Sequence, residues 1–577
     1  MKIALAQINS FTGNILFNER KIQNYIKKAK QNKACLIIFP EMVLNGYSPL
    51  DLLKRKFFLH QIDQSLKKIH KTMPEDIAVL LSAAGPGVPP KISAFLLEKN
   101  KKIKIFSKKI LANYDVFEEE RYFKKGPVQD NFFILKPGGE KKKRPENLVP
   151  VKAKNHQTDI IQILLCEETW HKPHLQAPQK PSLIISLNAS PFHLQKDQKR
   201  KQVARMWIKK YSCPFLYINS VGGQEELIFD GGSFILDSSG KQIHQSPFFQ
   251  EDLSFFSFPT KKKPLPPPSK QKSRFSKQEQ ITKALTFGLK EFIQKNNFQQ
   301  VHLGLSGGVD SALTAALACE ALGEKKVRLF FLPGLFTSSL SKQCARQMAH
   351  KLKCSLNTQS IEEVYLLLLK KFYIPVPSEF SRRLFSSSQE RESQKPSLFS
   401  TQIPDKKGFL DVTKQNIQAR LRNIWLMAYA NNHPESLLLG TANKSELALG
   451  YGTLYGDLAG GLLPIGDLFK TEVYQLARYL KVPSSIITRE ASAELTDNQK
   501  DTDDLPPYKK LDPVLRKLIE QEKDPENPFE KQILQWIIKT EFKRRQSPPL
   551  LKIKARSFDR GWRLPLSIKY PIYTEKV

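Results

Sequence analysis

The chain has 577 residues, too many for a single hydrophobic core, so at least two domains are expected. Its 40% hydrophobic content is that of a soluble globular protein, and no stretch approaches the length of a membrane-spanning helix. The net charge of +35 is the outlier, but the lysines are dispersed, with short runs at 141–143 and 261–263 and no stripe interleaved with aromatics. That pattern reads as a basic solvated surface and argues against a specific nucleic-acid partner.

The run Lys2 to Ile8 is broken by Gln7 and has no small-residue cleavage site, so it is read as a first strand rather than a targeting segment. A helix is expected from Asn18 to Lys30, with apolar positions at Ile22, Tyr25, Ile26 and Ala29. Short apolar runs follow at Cys35 to Phe39, Ala78 to Leu81, Ile92 to Leu97, Ile103 to Phe106, Ile160 to Leu165, Leu183 to Leu187, Phe215 to Ile218 and Ser233 to Leu236. Many β-runs with few helices between them imply a layered, sheet-based α/β domain over residues 1–260. Residues 261–275 carry Lys-Lys-Lys-Pro-Leu-Pro-Pro-Pro-Ser, which fits a stiff linker. Beyond it the pattern changes to a helix from Lys277 to Lys295, a strand from Val301 to Leu305, a glycine-rich turn and a helix from Ser311 to Leu322. That is the entry into an open parallel α/β sheet, a second domain over 276–577. Residues 376–407, rich in Ser, Arg, Lys and Pro, read as a mobile surface insertion. The six cysteines (Cys35, Cys166, Cys213, Cys319, Cys344 and Cys354) form no Cys-x-x-Cys pair, which fits a reducing cytoplasm.

Three strand ends in the first half carry reactive groups: Glu41 in Phe-Pro-Glu-Met, Lys108 after Ile103 to Phe106, and Cys166 after Ile160 to Leu165. A thiol is a nucleophile once deprotonated, a carboxylate can take its proton and return it to a leaving amine, and an ammonium can hold an oxyanion. Lys109 adjoins Lys108, and His171 and His174 read as exposed loop residues. Together these segments resemble the nitrilase superfamily, whose Glu-Lys-Cys triad appears in this order. The resemblance extends from Lys2 to about Pro259 and includes Gly-Tyr47, Asn113-Tyr114, Asn188-Ala-Ser-Pro191 and Gly222-Gly-Gln-Glu-Glu-Leu-Ile-Phe-Asp-Gly231. It implies an αββα sandwich of the glutamine-hydrolysing branch, with Glu41, Lys108 and Cys166 catalytic and Tyr114, Ser190 and Lys196 holding glutamine. Lys108 is preferred to Lys109 because it lies three residues before Leu111, as in relatives. Ala112 stands where relatives usually have proline, and Glu168 where they usually have aspartate.

In the second half, Leu305-Ser306-Gly307-Gly308-Val309-Asp310-Ser311 joins a strand to a helix. Its glycines let the backbone close around an anion, and successive N–H groups at the helix start point toward it. No Gly-Lys-Ser/Thr follows, so γ-phosphate cleavage is not implied. Asp411 to Arg422 reads as helical, with Asn416 and Arg420 on one face at i, i+4. The loop resembles that of the N-type ATP pyrophosphatases. Gly440-Thr-Ala-Asn-Lys-Ser-Glu446, Tyr-Gly-Asp457, Asp467-Leu-Phe-Lys470 and Asp501 to Tyr508 resemble the NAD+ synthetases.

By that resemblance residues 305–311 with Thr441 and Lys470 would contact ATP, and Asp310 and Glu446 would hold Mg2+. Asn416, Arg420, Glu446, Asp457 and Lys543 would bind deamido-NAD+. Pro333-Gly334 and Phe336 to Ser339 depart from the usual adenine-pocket loop. The resemblance implies ATP-dependent amidation of deamido-NAD+ with ammonia from glutamine, through an adenylate, by a homo-oligomer assembled through the synthetase half. Fusing both halves in one chain suggests an internal passage for ammonia. Two rivals are another glutamine-fed adenylating ligase and a nucleic-acid-binding protein whose enzyme loops are vestigial.

Overall fold

In a computed structural model, the described residues are 2–127, 131–135, 159–173, 180–258, 275–372, 374, 409–490, 492, 494–497, 499, 501–558 and 560–562. The expected linker (all but its last residue) and the expected insertion at 376–407 lie outside them. Two compact units are present, Met1–Lys277 and Gln278–Val577.

The first unit contains two six-stranded mixed sheets. One runs β14 (Asp252–Ser257), β1 (Lys2–Gln7), β2 (Leu36–Ile38), β3 (Ala78–Ala84), β4 (Ile92–Leu97), β5 (Lys104–Ser107). The other runs β13 (Gln242–Gln245), β12 (Phe234–Leu236), β9 (Phe215–Asn219), β8 (Leu183–Asn188), β7 (Asp159–Leu165), β6 (Phe132–Leu135), and a hairpin of β10 (Val221–Gln224) and β11 (Leu227–Asp230) stands apart. In each sheet three parallel strands (β1, β2, β3 and β7, β8, β9) are flanked by antiparallel ones.

The strand sequences explain the layering. Ile3, Leu5, Leu36, Ile38, Leu80 and Leu96 of one sheet pack on Ile161, Ile163, Leu165, Leu183, Ile185 and Leu216 of the other in a single apolar cluster. The alternate residues turn outward: Ala4, Ile37 and Val79 meet the helices Ile15–Gln31 and Lys56–Thr72, and Ile184, Phe215 and Tyr217 meet the helix Lys196–Tyr211. Strands buried on both faces must be apolar throughout, which is why they read as continuous runs rather than alternations. Each buried Val, Leu, Ile or Phe among them contributes roughly 1.5–3 kcal/mol. The first helix begins at Ile15, earlier than its apolar pattern suggested, because the Asn14 side chain caps it by accepting from the Phe17 N–H at 3.1 Å.

The second unit is built on a parallel sheet ordered β17 (Leu356–Thr358), β16 (Val327–Phe331), β15 (Gln300–Gly304), β18 (Ser436–Leu438). The central helix Val309–Leu322 is buried almost all round, with alanines at 312, 315, 316 and 318 that let its neighbours approach closely. It starts two residues before Ser311, so Val309 and Asp310 belong to its first turn rather than to the loop. No helix of the described residues is long and apolar enough to cross a membrane.

Candidate functional site

Two constellations stand at carboxyl ends of strands, where open sheets place their reactive groups. In the first unit, Glu41 lies just past β2, Lys108 directly after β5 and Cys166 directly after β7. Lys108 is fully buried, and its Nζ donates to Glu41 Oε1 at 3.0 Å and to Glu119 Oε1 at 2.8 Å. Of the two adjacent lysines it is Lys108 whose ammonium reaches Glu41; Lys109 gives its backbone N–H to Glu168 at 2.6 Å. The Cys166 thiol neighbours Glu41 and helps to lower its carboxyl, and Ala189 N–H approaches Glu41 Oε2 at 3.3 Å. Cys166 holds φ 41°, a left-handed conformation that an L-residue adopts only when its surroundings impose it. Glu168 supplies part of that constraint by accepting from Leu165 N–H at 2.9 Å, bracing the turn on which the thiol stands.

The electrostatics suit proton transfer. Burial pushes the Glu41 carboxyl up to about 7, with Lys108 pulling it down and Glu119 pushing it up. Burial and the Glu41 charge hold the Cys166 thiol well above its ordinary range. Burial alone would lower Lys108, but Glu119 and Glu41 together carry it well above the usual ammonium value, so it stays cationic. Glu119 also accepts from Tyr47 OH at 3.1 Å and Ala112 N–H at 2.8 Å. It is the group that sequence reasoning missed. It sits in the run Glu118-Glu119-Glu120, where only the fold singles out the member that turns inward.

The residues assigned to glutamine are placed around this cluster. Tyr114 OH donates to Glu167 Oε2 at 2.9 Å, and the Tyr114 ring is half exposed. Ser190 is anchored through its N–H to Asn219 Oδ1 at 2.9 Å and through its carbonyl to buried Arg200, which pairs with Asp230 at 2.8 Å. Lys196, opening its helix, holds its Nζ 5.2 Å from the centre of the Trp170 ring.

In the second unit, Gly307 adopts φ +85°, and a Cβ there would lie 2.6 Å from the Ser341 carbonyl oxygen, so the loop needs glycine at this position. Ser306 and Ser311 are hydroxyl neighbours at 3.1 Å, and Ser306 Oγ accepts from Gly308 N–H at 3.3 Å. Asp310 Oδ2 and Glu446 Oε1 bracket Lys470 Nζ at 2.6 and 3.0 Å. Asn443 caps the helix Lys444–Leu449 through its Oδ1 while its Nδ2 donates to Asp310 Oδ1 at 2.9 Å. Lys444, one residue on, is buried against Asp467 at 2.8 Å and braces the fold.

These groups open on a cavity of about 290 Å³ lined by Leu305, Ser306, Asp310, Ser311, Thr441, Glu446, Asp457 and Lys470, with Phe330, Phe331, Leu332 and Leu439 as apolar wall. Asn416, Arg420 and Lys543 instead grip the chain beside it. Thr453 Oγ1 donates to Asn416 Oδ1 at 2.6 Å, Arg420 Nε to Leu454 O at 3.3 Å, and Lys543 Nζ to Gly450 O and Gly452 O at 2.8 and 2.7 Å. Asp457 closes the same loop by accepting from Thr453 N–H at 2.6 Å. The cavity wall takes Ala419, Arg422, Asn423 and Leu426 from the helix Phe409–Asn432, an i, i+3, i+4, i+7 face that sequence reasoning passed over. Arg422 is lowered to about 10, chiefly by burial.

Comparison with known proteins assigns a family to each half of the chain. A carbon-nitrogen hydrolase family model matches residues 2–259, and an NAD synthase model matches residues 281–382 and 387–547. The chain is 35% identical to a glutamine-dependent NAD(+) synthetase of Synechocystis sp., covering 98% of each chain. It is 31% identical to that of Thermotoga maritima, covering 99% of each. Among solved structures it is similar to the glutamine-dependent NAD+ synthetase of Acinetobacter baumannii in complex with ADP, at 28% identity and a TM-score of 0.70 over 98% of each chain. It shares the fold of the Cytophaga hutchinsonii enzyme at a TM-score of 0.74, covering 98% of this chain and 97% of that one.

Proposed function

The chain belongs to the glutamine-dependent NAD+ synthetases, and from that premise we propose how its residues carry out the ATP-dependent amidation of deamido-NAD+ with nitrogen from glutamine. The observation that carries the reading is the buried cluster in which Lys108 pairs with Glu41 and Glu119 beside the Cys166 thiol.

Glu41 takes the thiol proton as Cys166 attacks the glutamine side-chain carbonyl. Lys108 holds the oxyanion, and Glu41 returns the proton to departing ammonia. Water then releases glutamate from the thioester. Tyr114, Ser190 and Lys196 orient the amino-acid end of glutamine.

At the second site the loop 305–311 with Thr441 receives the ATP phosphates, and Lys470 neutralises them as the substrate carboxylate becomes an adenylate and pyrophosphate leaves. Asp457 lines the pocket for deamido-NAD+, and Asn416, Arg420 and Lys543 fix the loop that presents it. The donor set fits Mg2+: two carboxylates, Asp310 and Glu446, already share one cationic group, and Mg2+ is commonly held by one or two carboxylates plus substrate phosphates. When bound, it would offset the charge on the leaving pyrophosphate. Ammonia then displaces AMP.

The test measures pyrophosphate release with deamido-NAD+ and ATP, supplying glutamine or ammonium in turn. Release with both, and NAD+ as product, is the expected result. Release with a different acceptor carboxylate and none with deamido-NAD+ would assign the chain to another adenylating ligase.

A further inference from the structure

Cys319 and Cys354 are 35 residues apart in sequence, yet their sulfurs lie 3.3 Å from each other. Cys319 is in the last turn of the helix Val309–Leu322, and Cys354 follows the helix Ser339–Leu352 just before β17. Both thiols are free and partly exposed, whereas Cys166, Cys213 and Cys344 are buried. A disulfide requires about 2.05 Å between sulfurs, so bridging needs a shift of little more than an ångström.

We propose that Cys319 and Cys354 form a redox-modification site of the synthetase unit, a thiol pair that closes to a disulfide when it meets hydrogen peroxide. The Cys354 sulfur attacks one peroxide oxygen. The O–O bond breaks, and the other oxygen leaves as water, giving a sulfenic acid at Cys354. The Cys319 sulfur then attacks the Cys354 sulfur. The S–S bond forms, the S–O bond breaks, and the hydroxyl leaves as water with the Cys319 proton. Two thiols and one peroxide become one disulfide and two waters.

The environments of the two sulfurs assign these roles. Cys354 is lowered from its ordinary value, first by the hydrogen bond with Cys319 and last by the Arg328 charge, against burial and Glu324, which raise it. Cys319 is raised by the same contact and by burial. The better thiolate is the attacking one and its neighbour the resolving one. The bridge would close a ring holding β16, the cavity wall at Phe330 to Leu332, and Ser341, whose carbonyl packs on Gly307. The modification would thus sit on the frame of the phosphate loop.

The test uses the full chain carrying Cys166→Ala, so that the amidase thiol consumes no oxidant. The protein is treated with about a tenfold excess of hydrogen peroxide, alkylated and digested without reduction. The expected product is a peptide cross-linked through positions 319 and 354, with two fewer alkylatable thiols per chain, both restored by dithiothreitol. With Cys319→Ser the cross-link disappears and Cys354 is trapped as a sulfenic acid by dimedone. With Cys344→Ser the cross-link is unchanged. Overoxidation of Cys354 in the intact chain without a bridge would overturn the proposal. So would alkylation of both thiols at a peroxide dose that already modifies Cys35, which is likewise partly exposed.

Discussion

Asn443 donates to Asp310 across 133 residues of sequence, at 2.9 Å, while the same amide caps the helix that carries Glu446. One side chain therefore ties the two carboxylates of the nucleotide site together. Asn443→Ala leaves Asp310 without this donor and uncaps the helix, costing about 1 kcal/mol of stability from the cap alone. NAD+ synthesis should fall with both nitrogen sources, with glutamine hydrolysis measured separately remaining intact. Unchanged ATP kinetics in this variant would show that the tie has no part in the site.

Glu446→Ala should abolish NAD+ formation from glutamine and from ammonium while glutaminase activity stays measurable. The motive is its carboxylate, which shares Lys470 with Asp310. Near-normal synthesis at ordinary Mg2+ would remove Glu446 from the site.

Cys166→Ala should lower glutamine-dependent synthesis by roughly 10³-fold or more and leave synthesis from concentrated ammonium near normal. Cys213→Ala, a buried cysteine that donates no part of the mechanism, is the control. A purely packing role for Cys166 would instead give modest losses with both nitrogen sources, from a cavity costing about 1 kcal/mol. Equal loss with ammonium would indicate misfolding.

Glutamine hydrolysis should decline as pH drops through about 7, because Glu41, raised to about that value, must be ionised to accept the thiol proton. Glu119 raises Glu41, so Glu119→Gln should move this acidic limb to lower pH even where the maximal rate suffers. A kcat/KM profile for glutamine that is flat down to about pH 5 would contradict the assignment of Glu41 as base.

Ala112→Pro deletes the N–H that Ala112 gives to Glu119 at 2.8 Å. A hydrogen bond to a charged group contributes roughly 1.5–3 kcal/mol, so a glutaminase loss of about tenfold or more is expected, with ammonium-dependent synthesis unaffected. An unimpaired variant would show that the Glu119 position is held by Lys108 and Tyr47 alone.

What the sequence made legible were groups that end short apolar strands. Glu41, Lys108 and Cys166 each follow such a run, so their convergence could be read from periodicity and a family pattern. Glu119 arrives from a single helical turn between two other glutamates, where no periodicity distinguishes it. Arg422 was hidden for a different reason. Asn416 and Arg420 define one face of the helix Phe409–Asn432, but Ala419, Arg422, Asn423 and Leu426 define the face toward the cavity. Which of two plausible faces turns inward is decided by packing, here by Arg422 reaching Leu332 O at 3.0 Å.

The amidase cluster has one further consequence. Glu41, Glu119, Lys108 and the neutral thiol carry one negative charge between them. Moving the proton from Cys166 to Glu41, adding glutamine, building the oxyanion and returning the proton to nitrogen leaves that total the same at every stage. No counter-ion has to enter or leave a cluster of buried groups, where uncompensated charge would be most costly. The nitrogen departs as an uncharged molecule. That is the form an adenylate can react with, and it emerges already able to act as a nucleophile without first giving up a proton to bulk solvent.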